Sequence, residues 1–380
     1  MFHKKYSIFT YLNPPMNLLK YILLLMFVAA LSLGGEAQRK KKKEIKPLPK
    51  NVIFLIGDGM GLSQISAGLV YRGGDLNLSR FKRVGFIKTQ SSDDFITDSA
   101  AGATAFSIGE KTFNGAIGVD TLKRSKKTIL EIAEQNGYST GLVATCAITH
   151  ATPASFIAHQ PKRSMQKEIA YDFTKTDVDV VIGGGQAYFN KRKNGVNLID
   201  TLKSKGYLVV DSTVDFTGIT APKFYAFTNN YHVPSMKKGR GNFSEKASLK
   251  AIEVLSKNPK GFFLMIEGSQ IDWGGHDNDA DYIAREMVDF DITIGKVLDW
   301  AEKDGNTLVV ITADHETGGF ALNGGSTKNK TIKGKFTTDE HTATMVPVFA
   351  FGPGADEFTG MYENTEIFHK MMRFFDFKQK

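Results

Sequence analysis

One cysteine, Cys146, in 380 residues leaves no partner for an internal disulfide. A chain of this size needs none, because about 330 residues can bury roughly three quarters of their unfolded surface. Cys146 follows the apolar stretch Gly141–Thr145, which marks it as a buried core thiol rather than a nucleophile. No cysteine follows the N-terminal apolar run, so an anchor through a lipidated cysteine is not supported. No internal repeat is visible either.

Positive charge is also scarcer than the net +8 suggests. Residues 1–38 carry a net +2, and the segment RKKKKEIKPLPK, residues 39–50, carries a net +6. Together they account for the whole excess and leave the body, 51–380, formally neutral. A nucleic-acid binder needs its basic residues on a folded surface, and these sit in a tail.

Met16 to Lys20 is a short basic start, Tyr21–Leu33 is apolar apart from Ser32, and Gly35-Glu36-Ala37 is a small-x-small cleavage pattern. Secretory signals have apolar cores of roughly 7–15 residues, short for a hydrocarbon layer of about 30 Å. Residues 1–37 are therefore expected to be a signal peptide, with Met16 as an alternative start, and 38–50 a flexible basic tail. An exported protein follows, periplasmic or secreted, with no permanent membrane span after cleavage.

In the body, apolar runs at Val52–Ile56, Thr140–Ala144, Val178–Ile182, Tyr207–Val210, Phe262–Ile266, Leu308–Thr312 and Val346–Phe351 predict buried strands. Helical patterns fall between them. Ile129–Gln135 stops at Asn136-Gly137, and Asp279–Glu302 places Ile283, Met287, Phe290, Ile294, Val297 and Ala301 at helical spacing. Such alternation predicts an α/β fold: a three-layer α/β/α sandwich with a largely parallel central sheet. Asn323–Lys335, polar and rich in glycine and lysine, is expected to be a surface loop near the site.

Several of these runs end in clusters of carboxylate, imidazole or hydroxyl. Asp58 follows NVIFLIG, Glu267, Asp272 and His276 follow GFFLMI, and Asp314-His315 follows LVVITA, while Asp98-Ser99 lies in TDSAAGATA and His341 precedes MVPVFAF. Ligands collect at the carboxyl ends of parallel strands, so the clusters are aimed at one rim. Mixed carboxylates and imidazoles suit divalent metals. Gly274-Gly275 between Asp272 and His276 favours a metal-holding loop over a helix. Gly183-Gly184-Gly185 lacks the spacing of a dinucleotide fingerprint. His159, His232 and His369 read as hydrogen-bonded structural histidines.

The stretch TDSAAGATAFSIGEKTFNGAIGVD, Thr97–Asp120, closely resembles the nucleophile region of alkaline phosphatases. EGSQIDWGGH (Glu267–His276), the pair Asp314-His315, His341-Thr342, and His150-Ala-Thr152-Pro153 with Arg163 beyond it resemble further elements of that family, in order, across nearly all of 51–352. The resemblance implies hydrolysis of small phosphomonoesters through a phosphoserine on Ser99, with Arg163 gripping phosphate and Asp98 orienting that guanidinium. It implies two zinc ions, one held by Asp272, His276 and His341, the other by Asp58, Asp314, His315 and the Ser99 oxygen. A third ion, magnesium, would be held by Asp58, Thr152 and Glu267. His150 and Trp273 stand at substrate-side positions where other members carry Asp and Lys. The family also implies a homodimer, and the twenty-five residues between His315 and His341 leave no room for a large inserted lid domain, so 51–380 reads as one catalytic domain.

Alternatives on the same fold are sulfatases and phosphodiesterases. Sulfatases need a Cys/Ser-x-Pro-x-Arg frame, whereas Ser99 precedes Ala-Ala-Gly; diesterase relatives generally lack the arginine and third metal. A non-catalytic metal- or phosphate-binding envelope protein would have no need of Ser99.

Overall fold

A computed structural model describes residues 20–23, 25–27, 48–193 and 195–375. Residues 20–23 and 25–27 are helical and fall in a unit, Met1–Lys46, separate from the compact unit Pro47–Lys380. The expected cleavage pattern and most of the basic tail lie outside the described residues. No described helix is long and apolar enough to cross a membrane.

Fourteen strands can be numbered along the body: β1 (Asn51–Gly57), β2 (Arg83–Lys88), β3 (Ser139–Ala147), β4 (Val180–Gly184), β5 (Leu208–Val210), β6 (Phe224–Asn229) and β7 (Phe262–Gly268). They continue as β8 (Thr307–Thr312), β9 (Glu316–Thr317), β10 (Ala321–Ser326), β11 (Thr331–Lys335), β12 (His341–Thr342), β13 (Val346–Phe351) and β14 (Gly360–Glu363). Ten form one sheet in the order β14-β2-β13-β8-β1-β7-β3-β4-β6-β5. The central strands β8, β1, β7, β3, β4 and β6 pair in parallel, and β13 runs antiparallel to both its neighbours.

The central strands are apolar on both faces because helices cover both. β1, β7 and β8 are buried along their whole lengths. One helix layer contains Leu62–Arg72, Phe243–Leu255 and Ala280–Asp304, packed on one another; the other contains Ser99–Ile108, Ala151–Ala154 and Thr365–Phe374. The expected three-layer sandwich is the observed architecture. Ile129–Gln135 is helical at the expected bounds, held by a Thr128–Glu131 capping box. The long helix starts at Ala280, with Asp279 as its N-cap, and ends at Gly305 in the left-handed region.

Some details differ from expectation. β4 and β5 begin at Val180 and Leu208 rather than Val178 and Tyr207. The segment taken as a loop, Asn323–Lys335, belongs largely to the antiparallel hairpin β10–β11. Its glycines and lysines masked the pattern because the hairpin is mostly exposed and needs little apolar alternation. β2 and β14 were missed for a related reason: they are short and partly exposed, β14 at the sheet's edge and β2 beside it.

The helix Ile129–Gln135 carries a half-buried carboxyl in its last turn. Glu134 accepts hydrogen bonds from Thr140 Oγ1 (3.0 Å) and the Asp177 amide (3.3 Å). Burial, with Asp177 and Asp179 nearby, pushes its pKa up from 4.5 to about 7. The folded chain thus holds a proton that the unfolded chain releases near 4.5. This contribution to stability is fully present below pH 4.5 and lost as pH rises through 7. Glu134→Gln should therefore stabilise the protein at pH 8, by up to roughly 3 kcal/mol, and leave it unchanged at pH 4.5. Thermal melts of both proteins at the two pH values check this.

Candidate active site

β8, β1, β7 and β3 lie side by side and run the same way, so their carboxyl ends share one edge. Asp58 follows β1, Glu267 lies at the end of β7, Asp314 and His315 follow β8, and His150 and Thr152 follow β3. Asp58, Glu267, Asp314 and His315 are all completely buried. The turn after β1 is tight: Gly59 has φ +72°, and a Cβ there would come within 2.7 Å of the Asp272 Cα. Its amide donates to Asp314 Oδ1 at 3.2 Å, which joins the ends of β1 and β8.

Ser99 is the first residue of the helix Ser99–Ile108, which is buried throughout. The N-cap is Asp98; its Oδ1 accepts from the amides of Ala101 (2.9 Å) and Gly115 (3.0 Å). Capping by Asp98 leaves the Ser99 hydroxyl to the pocket. Asp98 Oδ2 accepts from Arg163 Nη1 at 3.0 Å, and the Arg163 amide donates to the Gly115 carbonyl at 2.8 Å. Gly115 thus ties the cap to the arginine. Ser99, Arg163, Asp272, His276 and His341 line one cavity of about 350 Å³.

Ser99 Oγ lies 3.1 Å from His315 Nε2, which is itself 3.4 Å from both Asp58 Oδ1 and Asp314 Oδ2. Beside it, Asp272 Oδ1 is 3.4 Å from the Nε2 atoms of His276 and His341, which lie 3.2 Å apart. Asp272 and His276 belong to a helix, Gln270–His276, not the expected loop. The i,i+4 spacing stacks them on one face. The glycines serve packing: a Cβ at Gly274 would meet the Ile283 amide at 2.7 Å, and one at Gly275 the Thr317 Cβ at 2.8 Å.

Each imidazole is oriented through its other nitrogen. His276 Nδ1 donates to the Asp339 carbonyl, and His341 Nδ1 donates to the Thr97 carbonyl at 2.9 Å. Thr317 gives its hydroxyl proton to Asp272, so its oxygen accepts from His315 Nδ1 at 3.2 Å. In all three rings Nδ1 is the engaged donor and Nε2 faces inward, the usual backing of metal-bound histidine. Thr317 was missed in the sequence, although two residues along an extended segment share a face, and its spacing from His315 was the available signal.

The electrostatics call for cations. Asp58 is pushed well above its ordinary range by burial, then by Asp314, Asp272 and Glu267. Burial raises Glu267 to about 7 and, with Asp272, raises Asp314 to about 6. Hydrogen bonding to Asp272 raises His276 to about 9, while burial lowers His315 far below 6.5. Both Asp58 carboxylate oxygens, Asp314 Oδ2, Glu267 Oε1 and Thr152 Oγ1 are buried without a hydrogen-bond partner. Orphaned buried acceptors are costly, and this many at one edge fit divalent ions.

Neither His150 nor Trp273 lines the cavity that holds Ser99. With His232 they form an edge-on cluster, the His232 and Trp273 rings 4.8 Å apart and His150 5.7 Å from His232. Trp273 lines a neighbouring cavity of about 510 Å³ with Lys237, Lys238 and Tyr282. His232 Nδ1 accepts from the Ala147 amide (3.2 Å), His159 bonds Gly118 O and Glu131, and His369 bonds Gly109 O.

A parallel sheet that gathers a hydroxyl, an arginine and orphaned carboxylate–imidazole sets at its carboxyl edge defines a metal-dependent hydrolase of the α/β class. A sequence model described as alkaline phosphatase matches residues 49–335 and 326–377. Alkaline phosphatase 4 of Bacillus subtilis is 34% identical over 96% of this chain and 97% of its own length, and the Escherichia coli K12 alkaline phosphatase 31% identical over 90% and 89%. The solved alkaline phosphatase of the Antarctic bacterium TAB5 superposes with a TM-score of 0.84 at 48% identity, covering 88% of this chain and all of that one. A histidine-to-glutamate mutant of that enzyme has been solved with Mg bound in its M3 site. The chain belongs to the alkaline phosphatase family and is a hydrolase of phosphate monoesters.

Proposed function

We propose that the reaction runs through a phosphoserine on Ser99. The observation that carries this reading is the Ser99 hydroxyl at a buried helix N-terminus, in one cavity with the Asp98-tethered Arg163 and 3.1 Å from His315. Ser99 Oγ gives up its proton to solvent and bonds to phosphorus, the ester P–O bond breaks, and the leaving oxygen takes a proton from solvent and departs as the alcohol. Water then attacks phosphorus, the Oγ–P bond breaks, and inorganic phosphate leaves with the Ser99 hydroxyl restored. The helix dipole favours the anion at that terminus.

The donor chemistry supports three cation sites. Asp272, His276 and His341 would hold one zinc; Asp58, Asp314, His315 and Ser99 Oγ a second; and Asp58, Thr152 and Glu267 a third ion, with magnesium the family's usual occupant. Bound there, the cations supply Lewis-acid stabilisation to the attacking and leaving oxygens. We further read 1–37 as an export leader, 38–50 as a tail and 51–380 as one catalytic domain, active outside the cytoplasm and assembling as a homodimer. Turnover of a chromogenic phosphomonoester beside a diester and a sulfate ester tests the function. Hydrolysis led by the sulfate ester or the diester would refute it.

Arg163 offers a planar fork that pairs with two nonbridging oxygens, and Asp98 fixes one arm. A monoester presents two charged oxygens to that fork, whereas a diester shares one charge between its pair. Arg163→Ala should therefore reduce kcat/KM for the monoester by roughly 10- to 100-fold and raise the inhibition constant for phosphate, with much less effect on a diester. Equal losses on both substrates contradict the role given to Arg163.

A further inference from the structure

The third-ion site has donors that its all-oxygen set leaves unused. Cys146 on β3 places its Sγ 3.3 Å from Glu267 Oε2 on the adjacent β7, and 3.2 Å from the Ala147 carbonyl oxygen. One S–H cannot serve both acceptors. His150 stands at the N-cap position of the short helix that carries Thr152 without a side-chain capping bond, and its Nδ1 is buried without a partner. Glu267 Oε1 and Thr152 Oγ1, on completely buried side chains, also lack partners. One ligand atom each from Cys146, His150 and Glu267 lie within 4.8 Å of one another, a spread suited to a single ion.

We infer that Cys146 is a ligand of the third ion, and that its thiolate biases this site toward a thiophilic ion such as zinc over magnesium. The inference rests on the existence of the third site proposed above and changes its chemistry. Magnesium demands oxygen donors in near-ideal octahedral geometry and retains its waters. Thiolate, imidazole and carboxylate are the ligand classes of zinc, which accepts four close ligands. On binding, a metal–sulfur bond forms, the Cys146 S–H bond breaks, and the proton leaves to solvent. Cys146 is buried, as its apolar context implies; Glu267 and His150 approach it only through the β3–β7 pairing and the turn after β3.

Cobalt reports the bond directly. The full chain, stripped with a chelator and reloaded with Co(II) until all sites fill, should show a near-ultraviolet thiolate-to-cobalt charge-transfer band. Cys146→Ser, checked for native far-ultraviolet circular dichroism, should lack that band. With zinc in place of cobalt and millimolar magnesium present, the wild type should retain a third zinc by elemental analysis. The serine variant should bind that zinc more than about a hundredfold more weakly, beyond what loss of an outer-shell contact causes. A wild-type chain that takes up a third ion without the band overturns the thiolate ligand and leaves the third site standing. If the wild type takes up only two ions and Glu267→Gln does not alter the number, the third site itself fails.

Discussion

Ser99→Ala should cut kcat for phosphomonoesters by at least about a thousandfold while the metal content stays within reach of the wild type. Nucleophile removal has effects of this size or larger in enzymes whose catalytic groups act as a unit. Alanine at the first helical position keeps Asp98 as the N-cap, with its bonds to Ala101 and Gly115, so the helix and the Arg163 tether persist. Activity should nevertheless stay above the uncatalysed rate, because Arg163 and the carboxylate–imidazole sets are untouched and surrounding stabilisation outlives the nucleophile. A loss of only a fewfold would show that phosphoryl transfer does not need Ser99. Steady-state kinetics with elemental analysis of both proteins distinguish the cases.

Removal of metal should be equally severe. Without cations the site keeps Asp58, Glu267 and Asp314 buried together, with five of their oxygens or neighbouring hydroxyls unpartnered. Chelation should abolish turnover and lower the melting temperature. Zinc should restore activity better than magnesium alone, since His276, His315 and His341 are poor magnesium ligands. The recovery should depend on pH in a defined direction. Hydrogen bonding to Asp272 keeps a proton on His276 up to about pH 9, so a metal entering there displaces it. Zinc affinity should therefore rise with pH up to about 9 and weaken as acid restores the proton, by at most tenfold per pH unit for each proton displaced. Titration against a competing chelator between pH 6 and 10 measures this. Full recovery with magnesium and no zinc would exclude the two-zinc reading.

Much of the architecture was legible because the central strands are buried on both faces. Runs such as NVIFLIG and LVVIT need no alternation to be recognised, and each leads toward a polar cluster at the same sheet edge. The exposed hairpin β10–β11, the edge strand β14 and its neighbour β2 carry no such signal. The helix through Asp272 and His276 was obscured because glycine usually weakens helices, whereas here Gly274 and Gly275 make room for Ile283 and Thr317. Neighbours brought close by tertiary pairing were illegible altogether. Asp339 backing His276 and Cys146 beside Glu267 both depend on contacts between distant parts of the chain.

The most direct test of the phosphoserine reaction is to trap the intermediate. The metal-loaded enzyme is incubated with a phosphomonoester labelled in its phosphoryl group, quenched in acid during turnover, digested and mapped. The proposed chemistry predicts covalent label on Ser99, within the peptide that contains Asp98-Ser99-Ala100, and no such label in Ser99→Ala. Label on another residue of a fully active enzyme would contradict it.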